Sequence, residues 1–64
     1  MYIKYDTQVD VVYIRFSEGK VAESDKDKPG IIIDHDSEGN IVAIEVLEAS
    51  KKMIQPNGVV YEVA

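Results

Sequence analysis

The densest run of chemistry-bearing side chains is Asp34-x-Asp36-x-Glu38-Gly39-x-Ile41-x-x-x-Glu45. Counted from Asp34, oxygen ligands fall at positions 1, 3 and 5, with glycine at 6, an apolar residue at 8 and glutamate at 12. That is the spacing of an EF-hand calcium loop, whose glycine allows the sharp turn and whose last glutamate binds bidentately. A calcium loop is therefore one candidate reading, and a small metal-dependent enzyme using Asp34, Asp36 and Glu45 is another. The flanks point elsewhere. An EF-hand needs a helix entering the loop, and Pro29-Gly30-Ile31-Ile32-Ile33 is strand material. Residues 41–46 alternate as a strand where the second helix should begin. In a hairpin, Glu45 would stand several residues up the returning strand at about 3.4 Å per residue, too far to close a cage around Asp36 and Glu38. The same residues then form a polar turn with Gly39 in the left-handed region, and no metal or cofactor is expected.

His35 is the single histidine. General acid–base work needs an orienting partner, yet Asp34 and Asp36 point to the opposite face of a strand. A cross-strand residue such as Glu45 would have to serve, and the plainer reading is a sheet-surface side chain. Asp6 and Asp10 bracket Thr7-Gln8-Val9, where carboxylates cap backbone N–H groups of a turn. Arg15 and Lys4 share sheet with Tyr5 and Tyr13, the ingredients of a stacking platform for single-stranded nucleic acid. The formal charge of −5 opposes that use. With no cysteine, thiolate catalysis, disulfides and Cys-ligated metals are excluded.

The elements that must position these residues follow from residue type. Nine Val and eight Ile against one Leu favour pleated sheet over helix, and four Tyr push the same way. Residues 2–5 read as a first strand. Residues 11–16 alternate as a second, with Val12, Ile14 and Phe16 on one face and Val11, Tyr13 and Arg15 on the other. Ser17-Glu18-Gly19-Lys20 reads as a tight turn with Gly19 at positive φ, and Val21-Ala22-Glu23 as a short third strand. Residues 24–28 read as a solvated mixed-charge loop closed by Pro29-Gly30. Ile31-Ile32-Ile33 reads as a central strand. Residues 41–47 form the next, with Val42, Ile44 and Val46 on one face. Residues 47–54 are the one helix-friendly stretch, one to two turns before Pro56-Asn57-Gly58 ends it. Residues 59–63 suit a last strand. The expectation is one small mainly-β domain over residues 1–64, an antiparallel meander of five to six strands with a short C-terminal helical segment.

Several fragments together resemble a known family. Tyr5-Asp6 followed by Asp10-x-x-Tyr13-Ile14-Arg15-Phe16-Ser17 is similar to its opening. Gly30-Ile31-Ile32-Ile33-Asp34-x-Asp36-x-x-Gly39-Asn40-Ile41-Val42 and Ile44-Glu45-Val46-x-x-Ala49-Ser50 are similar to its second half. Over about residues 2–52 the chain resembles domain of unknown function 2283, a family of small prokaryotic proteins. It departs at His35, where Tyr is more usual, and at Ala43, where Gly is. Met53 to Ala64 lies outside the pattern. The resemblance supports the fold and implies no activity. It implies, for some members, neighbouring small toxin-like proteins, which would suit an acidic neutralising partner.

Size and charge complete the expectation. A chain this short buries only about 60% of its unfolded surface, and a meander leaves edges that a second copy can pair. A homodimer follows, acting as an acidic binding or interaction module and not as an enzyme. The acids, Glu18, Glu23, Asp25, Asp27, Glu38, Glu48 and Glu62 among them, serve solubility or face a basic protein partner. No apolar run approaches the roughly 18 residues of a membrane span, and the N-terminus carries no signal-peptide pattern. A cytoplasmic location without nucleic-acid or membrane partners is expected.

Overall fold

The β-branched residues build one open antiparallel sheet of five strands. The structure is a computed structural model that describes residues 1–54, 56 and 58–64, with the backbone alone at residue 27. The elements are β1 (Tyr2–Asp6), β2 (Val11–Arg15), β3 (Glu23–Lys28), β4 (Ile31–His35), β5 (Ile41–Leu47) and the short helix α1 (Ala49–Lys52). The strand order is β1-β2-β5-β4-β3. Antiparallel pairing holds throughout, and sequential order breaks once, where the chain leaves β2 and crosses to the far edge.

The alternation read in β2 and β5 is what sets the two faces. Val12 lies opposite Val46 and Ile14 opposite Ile44, so these four share a face. Ile31 and Ile33 of β4 and Ile3 and Tyr5 of β1 extend it. Val12, Val46 and Ala49 form the buried cluster there, with Ile14, Ile31, Ile44 and Met53 packed around it. The opposite face carries Val11 with Leu47, Tyr13 with Glu45, and Arg15 with Ala43. The core is thin: among the described residues, the fully enclosed large side chains are Val12 and Val42.

Three expectations are corrected. The third strand is Glu23–Lys28 in place of Val21-Ala22-Glu23, so the supposed charged loop is an edge strand. An edge needs a ladder on one side only, and charge on the other side keeps it from pairing further. Gly19 is not at positive φ, and no hairpin forms, because β3 lies at the far edge of the sheet from β2. The segment after β2 instead crosses the sheet end, and a Cβ at Gly19 would stand 3.4 Å from Cγ2 of Val42. The crossover thereby covers Val42. Finally, the expected strand at residues 59–63 does not form, and these residues have no regular structure.

The hairpin at residues 36–40 is as expected, with Gly39 at φ 86°. The helix is shorter than the composition allows. Glu48 takes φ 51°, ψ 48°, which turns the chain sharply off β5 before Ala49. Among the described residues, no helix is long and apolar enough to cross a membrane.

Candidate functional site

The polar residues singled out above fall into three separate places. The first is the sheet face opposite α1. Asp34, on β4 opposite Ala43, is only 3% exposed and accepts a hydrogen bond from Ser24 Oγ at 2.6 Å. Glu45 lies one pleat further along β5, on the same face as Asp34. Burial raises the Glu45 carboxyl above its ordinary range, and the bond to Asp34 and its negative charge push the same way. Alongside, Arg15 Nη1 donates to Tyr13 Oη at 3.1 Å and Nη2 to the Gly19 carbonyl at 2.7 Å. Tyr2 meets Tyr13 edge to face, with ring centroids 6.5 Å apart.

The second place is the β4–β5 turn. Asp36 Oδ1 accepts from the Glu38 and Asn40 backbone N–H groups at 2.9 and 2.8 Å, and Oδ2 accepts from Asn40 Nδ2 at 3.1 Å. These bonds, those from Asn40 foremost, hold the Asp36 carboxyl below its ordinary range. Asp36 therefore spends its oxygens on the turn. Of the four residues in the calcium-loop spacing, Asp34 and Glu45 meet on a sheet face, whereas Asp36 and Glu38 belong to the turn. Among the described residues no group of three or more His, Cys, Asp or Glu side chains could hold a metal ion. Next to the turn, His35 Nδ1 lies 3.2 Å from Asp25 Oδ2. The partner is Asp25 and not Glu45, which projects from the other face. Asp25 carried no signal as that partner in the sequence, because its stretch reads as a loop. The two line a polar recess of about 450 Å³ with Glu23, Asp36 and Glu38.

The third place ties α1 to the sheet. Tyr5 Oη donates to Asp10 Oδ1 at 2.7 Å. Ser50 donates twice to Asp10, from its backbone N–H to Oδ1 at 3.0 Å and from Oγ to Oδ2 at 2.6 Å. The Ala49 N–H donates to the Asp10 carbonyl at 2.9 Å. The Ser50 and Tyr5 bonds lower the Asp10 carboxyl, and the bond to Asp10 raises the Tyr5 hydroxyl. Asp6 keeps the turn role read for it, accepting from the Gln8 N–H at 3.1 Å. Tyr5 thus faces away from Tyr13, and the platform of Tyr5 with Tyr13 does not exist.

A single antiparallel sheet with one short helix pinned to it is the class the geometry defines. The chain belongs to the family described as protein of unknown function (DUF2283), whose model matches residues 2–50. Neither a curated protein nor a solved structure matches the chain.

Proposed function

We propose that this protein is a small interaction module that works as a homodimer and carries no chemistry of its own. The observation behind this is area. The chain exposes 5043 Å² at 7.2 kDa. A folded monomer of that mass exposes about 4,100 Å² by the usual size scaling, which leaves a surplus of about 900 Å². A standard interface buries about 800 Å² per partner, so the surplus is of the size one second copy covers. The polar residues support the non-enzymatic half of the reading. Asp34 is closed to a substrate, and the Asp36 oxygens serve the turn. Sedimentation equilibrium of the full chain tests the reading. A mass of twice 7.2 kDa at micromolar concentration is expected, and a monomer at all concentrations sinks it.

A second reading has its own observation. Glu23, Asp25, Asp36 and Glu38 gather at one end of the sheet around the recess beside His35. That acidic end suits a basic protein partner steered by charge. Capture of a basic protein from the native host, weakened by salt and by Glu23→Lys, supports it. Capture of none overturns it.

A further inference from the structure

The two edges of the sheet differ in a way that selects one of them for a partner. On β3, five of six residues are charged, Glu-Ser-Asp-Lys-Asp-Lys, which is how sheet edges are kept from pairing. β1, Tyr-Ile-Lys-Tyr-Asp, has one cation and one anion that cancel, and Tyr2 and Ile3 are exposed on it. Three exposed apolar side chains after the helix gather beside this second edge. Val59, Val60 and Tyr61 border a groove of about 740 Å³ with Met1, Ile3 and Tyr5. Val60 is 86% exposed and Tyr61 76%. A soluble chain seldom leaves a contiguous patch of this kind uncovered.

We infer that β1 is the edge at which a second copy joins, its β1 pairing antiparallel with the first and the groove formed with residues 59–61 closing over the seam. The inference rests on the homodimer reading above and deepens it by placing the interface. A strand paired antiparallel with itself meets the requirement of a two-fold interface, that the same patch serve on both sides. With the two-fold axis at Ile3, Ile3 faces its own copy and Tyr2 faces Lys4 of the second copy. Aromatic and cation pair well across strands, and the two Lys4 ammonium groups stay apart. Charge therefore leaves β1 as the edge where a copy of equal net charge can approach.

The test compares the full-length wild type with Val60→Asp and with Val21→Asp, an exposed apolar position on the crossover between β2 and β3. Sedimentation equilibrium gives the dimer constant, and amide hydrogen exchange reports the β1 backbone. The exposure of Val60 keeps the fold intact in the variant, which circular dichroism verifies. Val60→Asp is expected to weaken the dimer on the order of tenfold or more, and Val21→Asp to leave it unchanged. Outward β1 amides are expected to exchange more slowly as dimer accumulates. A dimer that survives Val60→Asp, with β1 amides exchanging as in the monomer, overturns the placement and leaves the homodimer reading standing. A wild type that never dimerises overturns both.

Discussion

Asp10 and Ser50 lie forty residues apart and are joined by two hydrogen bonds, one from the serine backbone and one from its hydroxyl. Because Asp10 also accepts from Tyr5, one carboxylate links β1, the β1–β2 turn and the start of α1. A four-residue helix has no stability of its own, so its place depends on such ties. Asp10 also takes φ 57°, a conformation Asn tolerates and Ala does not. The expected order of urea midpoints is wild type, then Asp10→Asn, then Asp10→Ala. An Ala variant as stable as wild type would show that α1 stays in place without this link.

The thin core makes single methyl groups matter. Val42 is fully buried between the sheet and the crossover at Gly19. Val42→Ala removes two carbons and is expected to cost about 2 kcal/mol. A domain of this length has roughly 3–10 kcal/mol in all, so the loss is a large share of it. Val21→Ala, at an exposed position, is expected to stay within about 0.5 kcal/mol in the same urea titration.

Ser24 sits on the charged edge and looks dispensable from its surroundings in the chain. It donates to Asp34, which has almost no access to water. Ser24→Ala strips a buried aspartate side chain of a hydrogen-bond partner and is expected to cost about 1–3 kcal/mol. Ser24→Thr keeps the hydroxyl and is expected to restore most of it. Chemical denaturation of both variants checks the pair, and an Ala variant equal to Thr would show that Asp34 does not need the hydroxyl.

What was legible and what was not divides along physical lines. The alternation of Val12, Ile14, Val42, Ile44 and Val46 carries the faces, since Val12 lies opposite Val46 and Ile14 opposite Ile44, each beside a cross-strand neighbour of the same kind. The turn at Gly39 was legible for a local reason, a backbone conformation that glycine supplies. β3 was hidden, because Glu23–Lys28 is held by its ladder to β4 and shows no apolar alternation. The pairing of His35 with Asp25 was hidden with it. The spacing from Asp34 to Glu45 suggested a cage, and the fold divides it between a sheet face and a turn. Nothing local marked Asp10 as the anchor of Ser50, since that contact exists only once β5 has returned beside β2.

The carboxyl groups pull the pH dependence in two directions, and their signs identify Glu45. Asp10 and Asp36 are held below the ordinary 3.8, and Glu48, beside Lys51, below 4.5. Each favours the folded state above its ordinary value, and the benefit is lost as pH falls through the lowered one. Glu45 is raised above its ordinary 4.5. Its protonated form fits the folded state better, so its contribution is complete below 4.5 and is lost as pH rises through the raised value. Glu45→Gln keeps a donor for Asp34 at similar volume and removes the titration. Stability of the wild type is therefore expected to fall between mildly acidic pH and neutrality relative to the variant, while both fall alike in stronger acid. Urea midpoints for both proteins from about pH 3 to 8 measure the difference. The repulsion from the net charge of −5 acts on both chains, apart from the single charge removed, so a divergence confined to the range above 4.5 isolates the raised Glu45 carboxyl. Profiles that stay parallel would mean that the fold does not hold Glu45 above its ordinary value.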